Sequence, residues 1–128
     1  MIDRVQWSTG AAVGSDGAAT STGYSPRVRG CVLAVYVAYL DSPPAGTTDF
    51  TLSDEADPAA ENIVSLADTA TDQKLYPRRL LEANDGTDLT YDGTRKVYSE
   101  YVVHGRMKAT IAQANAGDSV TVTVWLET

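Results

Sequence analysis

The sequence predicts an all-β fold: an antiparallel β-sandwich of about eight strands, jelly-roll-like, in a single domain over residues 1–128 with an extended arm or loop at 9–23. Three observations predict it. Segments such as "SVTVTVWLE" alternate apolar and polar residues with period two, as a strand with one buried face does. Clusters of Gly, Pro, Asn and Asp punctuate the chain between these segments. Helical periodicity is nearly absent, and many short strands divided by turns mark a sandwich or barrel.

Taken in order, residues 2–8 form a short strand with Val5 and Trp7 on one side and Ile2, Arg4 and Gln6 on the other. "STGAAVGSDGAATSTG" follows, small and polar, with Gly10, Gly14, Gly17 and Gly23. Such composition does not bury enough apolar surface to order itself alone, so it is a flexible loop or an arm lying on something else. After Pro26, "RVRGCVLAVYVAYL" is the strongest strand, apolar on both faces, and "DSPPAG" breaks it. "TDFTLSD" and "ENIVSLAD" are two further strands, with a polar connection between them that has room for one helical turn. Pro77 in "KLYPRRLL" lacks the N–H of a central ladder and marks an edge strand or a bulge. "EANDGTDLTYDG" is rich in turns.

"YVVHGRMKATIAQANAG" reads two ways. As a strand it puts Tyr101, Val103, Met107, Ala109 and Ile111 on one face; as a helix from Arg106 it gives Met107, Ile111 and Ala114 a common stripe. Gly105 and Thr110 weaken the helix, and the neighbouring strands favour the strand. "NAGD" then turns the chain into the final strand and makes the two a hairpin. In that last strand Val120, Val122, Val124 and Leu126 form the buried face, and Trp125 on the other side is a candidate contact.

Composition bounds the function. The chain of 128 residues has 43% hydrophobic and 21% charged residues, which is ordinary globular material. Its formal net charge of −7 argues against a nucleic-acid partner, since phosphate neutralisation needs clustered Lys and Arg. "MIDRVQWSTG" has no apolar signal core, and the longest apolar run, residues 31–40, is about half the length of a membrane helix. No membrane partner is expected. Cys31 is the only cysteine, packs as a small hydrophobe and points to a reducing compartment.

Chemistry-bearing residues are sparse. His104 is the only histidine; no nucleophile elbow accompanies it, and on the polar side of its strand it reads as a surface residue. One His and one Cys do not make a four-ligand zinc site. Asp85, Asp88 and Asp92 share one loop and Asp54, Glu55, Asp57 and Glu61 another, but neither has the order of an EF-hand. The expectation is therefore no catalytic residue, no cofactor and no metal. Arg27 and Arg29 alternate around Val28 and project together, either as edge protection or as ion-pairing groups for an acidic neighbour. Seven tyrosines, among them Tyr24, supply apolar area with a polar tip, suited to core, interface or sugar-stacking roles.

"RVQW" followed by Gly/Ala/Thr filler, "VRGCVLAVYVAYLDSPPAGTTDFTL", "LYPR" and "HGRMKATIAQANAGDSVTVTVWLE" together resemble small virion proteins of tailed bacteriophages, of the capsid decoration or cement type. The resemblance covers most of the chain. It implies a head-stabilising protein made in the host bacterial cytoplasm and carried on the capsid surface. It also implies a homo-oligomer, a trimer by analogy, that clamps neighbouring major capsid protein subunits. The expected interface residues are then Arg4, Trp7, Tyr24, Arg27, Arg29 and Trp125, with Trp7 anchoring the arm at 9–23. A head–tail accessory protein and a carbohydrate-binding module remain as alternatives. "EANDGTDLTYDGTRKVYSE" is longer and more charged than this resemblance implies, so that loop has no assigned role.

Overall fold

Val120, Val122, Val124 and Leu126 of the last strand are fully buried, and everything else in the fold is arranged to cover them. A computed structural model describes residues 1–40 and 44–128; the break expected at "DSPPAG" falls partly on residues 41–43, outside the described residues. The strands are β1 (Ile2–Ser8), β2 (Ala19–Tyr39), β3 (Asp49–Asp54), β4 (Asn62–Leu66), β5 (Gln73–Leu75), β6 (Arg79–Leu80), β7 (Tyr98–Ser99), β8 (Val102–Ala114) and β9 (Val120–Glu127). All pairings are antiparallel, and no helix occurs among the described residues. The all-β sandwich is as expected, with nine strands among the described residues. The ambiguous stretch is strand β8, and "DEADPAAE" forms turns rather than a helical turn.

The pairing is nested from the outside inward. β1 pairs with β9, β9 with β2, β2 with β8, β8 with β3 and β3 with β4. A chain folded in half and then rolled up gives this pattern, as in a jelly roll. β2 belongs to both layers: residues 19–31 pair with β8, residues 31–39 pair with β9 on one side, and residues 35–37 pair with β5 on the other. The change of layer occurs where a register shift lies between Val32 and Ala34. Gly30 adopts φ 139°, and a Cβ there would overlap the carbonyl oxygen of Glu127.

The core lies between the layers. Phe50, Leu52, Met107 and Ile111 face Val35, Val37, Val122 and Val124, all without solvent exposure. Burying each is worth about 1.5–3 kcal/mol.

Three expectations need correction. β8 and β9 do not form a hairpin. β2 lies between them in the pairing order, and the turn at Asn115–Asp118 carries the chain from one layer to the other. The Asp118 carboxylate shapes that crossing by accepting from the N–H of Asn115 at 2.9 Å and of Ala45 at 3.2 Å.

Residues 9–23, expected as a flexible loop or an arm lying on something else, lie on this chain's own β8–β9 crossing and include the start of β2. The amide of Ala12 donates to Asp118 O and that of Gly17 to Ala114 O, while Ala12 and Ala19 are buried and β2 already begins at Ala19. Small side chains let this strap lie flat against the β8–β9 crossing.

Trp7 is a core residue, 9% exposed, with its indole N–H donating to Gly23 O at 3.2 Å. Its partner in the ladder is Val122, so it shares the inward face with Val5. An inward tryptophan cannot anchor an external contact.

Candidate functional site

Three of the expected interface residues meet in one place. β1 and the first half of β2 touch at one end and part at the other. At the closed end the chain passes so close that a Cβ on Gly23 would overlap the carbonyl oxygen of Ser8. At the open end a cleft of about 650 Å³ lies between Asp3–Val5 of β1 and Arg27–Arg29 of β2. Val5, Val28 and the buried Leu126 form its apolar floor, and Arg4, Arg27, Arg29 and His104 rim it. The three guanidinium groups are on exposed residues, and among the described residues none has a carboxylate within 4.0 Å. Three arginines against one carboxylate, Asp3, make this cleft locally basic in a chain of net charge −7.

The cleft runs on into a smaller hollow. Arg27 and Gly105 border it where Arg106 forms a bidentate pair with Glu55, at 2.8 and 2.9 Å. The Arg106 hydrogen bonds hold the Glu55 carboxyl below its usual range, and Glu55 raises Arg106 in return. Tyr24 is exposed, with its ring 4.5 Å from the Arg106 guanidinium. Beyond His104 a second hollow of about 430 Å³ is lined by Asp54, Asp57, Glu61, Arg79 and Tyr101. The Asp54 carboxylate accepts from the amides of His104 and Ala56, and that of Asp57 from Ala59 and Glu61. These carboxylates shape turns, and among the described residues no three His, Cys, Asp or Glu side chains are grouped as a metal site.

Trp125 does not line the cleft; it is on the outer face of β9, paired across the strands with Arg4 and Ala34. It is half-buried, and the Lys74 ammonium sits 4.4 Å from its ring centre. One aromatic face is thereby already occupied.

The excursion between β5 and β8 is the feature that residue-by-residue reading left without a role. Its backbone closes on itself: Leu81 donates to Val97 O, Val97 to Leu89 O and Leu89 to Leu81 O. Asp85 caps one turn by accepting from Thr87, and Asp92 caps another by accepting from Thr94 and Arg95, which lowers both carboxyls. Lys96 pairs with Asp88 and Arg95 with Asp92. The Arg78 guanidinium ties the base to Leu33 O at 3.2 Å. Of ten exposed large hydrophobic residues among the described ones, Tyr76, Leu89, Tyr91, Tyr98 and Val102 lie on or beside this excursion. No sequence pattern marks that clustering, because it depends on the loop folding against itself instead of the body.

No family profile matches the chain, and no curated protein matches it in sequence. Solved structures of similar shape include the crystal structure of FLHE, at 12% identity over 99% of this chain and 98% of that one, with TM-score 0.48. The CBM32 of AlyQ in complex with 4,5-unsaturated mannuronic acid is 16% identical over 93% of this chain and 75% of that one, with TM-score 0.47. Infectious bursal disease virus, Gx strain, is 10% identical over 99% of this chain and 32% of that one, with TM-score 0.42.

Proposed function

We propose that this chain is a non-catalytic structural protein of a tailed-phage virion. In this reading it is a decoration or cement protein that binds the outer surface of the head and clamps neighbouring major capsid protein subunits. The class comes from the sequence segments named above. The observation that supports a docking role is the excursion, where Tyr76, Leu89, Tyr91 and Tyr98 stand exposed on a structure fixed by its own turns. Aromatic side chains held rigidly in solvent lose little freedom on docking and bring large apolar area. The expected assembly is a homo-oligomer of three, in which avidity multiplies modest single contacts.

Copy number in purified virions tests this, measured by quantitative mass spectrometry against the major capsid protein. Hundreds of copies fit a shell-wide cement. A dozen or fewer would move the chain to the head–tail region, and none would overturn the virion reading in favour of a surface binding module.

A further inference from the structure

The basic cleft has a second property, which lies in its backbone. β1 is an edge strand, paired only with β9. Residues 24–29 of β2 pair with β8 on one side, and β9 reaches β2 only from Cys31 onward. Among the described residues, the facing edges of β1 and of this part of β2 therefore carry no ladder partner, and the cleft is the gap between them. An unpaired strand edge is a template for an added strand.

We infer that the seam between β1 and residues 24–29 of β2 accepts an extended acidic peptide segment as an additional strand. Its side-chain pattern follows from the walls. Val5, Val28 and Leu126 present an apolar floor, whereas Arg4, Arg27 and Arg29 present three cations at the rim against the single carboxylate of Asp3. Arg27 and Arg29 are two residues apart on one strand, so their side chains repeat at about 7 Å. The fitting segment carries carboxylates at alternate positions and small apolar residues between them. Its backbone bonds to the open edges supply affinity, and the arginine spacing supplies register. Asp54, Asp57 and Glu61 beyond His104 set the limit, since a carboxylate placed there meets like charge. This site is separate from the tyrosine-bearing excursion and does not depend on the virion reading.

The test uses the full chain and three synthetic probes. The first is a fluorescein-labelled octapeptide alternating Glu with Thr and Val; the others are its Glu→Gln form and a form N-methylated at alternate residues. Fluorescence anisotropy should show binding of the first probe and at least tenfold weaker binding of both others. Arg27→Gln/Arg29→Gln should weaken the first probe at least tenfold, while amide resonances of residues 3–6, 24–25 and 27–29 shift in the unmodified protein. Both arginines are exposed, and should that variant not fold, the Gln probe on the unmodified protein reads the same charge dependence. Equal binding of the N-methylated probe would mean a charged patch without strand addition and would overturn the inference. So would no binding, or shifts confined to the excursion. A negative result here leaves the virion copy number as it was measured, so the two proposals fail separately.

Discussion

In the sandwich body, Phe50, Leu52, Met107, Ile111 and Val122 turn into a space without solvent contact. In the excursion, Leu81, Leu89 and Val97 hydrogen-bond to one another through the backbone, yet all its large side chains keep some exposure. The body is held by apolar burial, with hydrogen bonds aligning the strands. The excursion is held by capped turns, two ion pairs and one anchor from Arg78 to Leu33. Backbone closure gives the excursion a shape, and only burial gives a region global stability. A surface that must stay rigid and still expose tyrosine is built in the second manner.

That contrast can be broken by substitution. Trp7→Ala should cost about 3–5 kcal/mol in urea unfolding, because it empties a core site and removes the bond to Gly23. Tyr91→Ala in the excursion should stay within about 0.5 kcal/mol of the parent. Equal costs for the two would erase the distinction between the regions.

Gly23→Ala should cost about 1–3 kcal/mol, since its methyl group meets the Ser8 carbonyl and the β1–β2 closure must spread. If the closure is instead loose, this variant will melt with the parent protein.

Excision sharpens the comparison. Leu80 and Tyr98 are paired across β6 and β7, so replacing residues 81–97 by Asn-Gly closes a two-residue hairpin at that point. The shortened chain should unfold within about 1 kcal/mol of the parent by urea titration, as expected for removal of a region outside the core. A collapse of stability would make the excursion part of the body.

The smallest effect concerns pH. The Arg106 hydrogen bonds depress the Glu55 carboxyl in the folded protein. Its contribution is therefore present above the ordinary Glu value of about 4.3 and is lost as pH falls through the depressed folded value. Glu55→Gln should flatten the acid limb of stability against pH slightly, read by thermal melts between neutral pH and the acid range. The pair is exposed, so a steep change would contradict the geometry.

Much of the body was legible because period two is a direct record of burial. β1, β3, β4, β8 and β9 all lie where alternation places them. The start of β2 was not legible, because residues 19–24 read as filler. The structure needs small residues there, since β1 passes against Gly23 and Ser21 donates to Thr9 O. The expected interface set contained a conflict that alternation alone exposes: Arg4 and Trp7 occupy opposite faces of one strand, so one outward surface cannot present both. Arg4, Arg27 and Arg29 do come together, but only because β2 changes layer and brings its first half beside β1. Sequence showed that Arg27 and Arg29 project together; their meeting with Arg4 and His104 is a product of topology.

The nested pairing has a consequence for how the chain is made. β1 and the second half of β2 find their partner in β9, and the first half of β2 finds its own in β8, so both must wait for the far end of the sequence. During synthesis β3 with β4, and β6 with β7 outside the main sheet, are the paired strands that are also neighbours in sequence. The body is therefore expected to assemble in one late, concerted step once β9 is available, on the millisecond-to-second scale of folds dominated by distant contacts. Nascent chains would be open to chaperones and proteases until residue 127 has emerged.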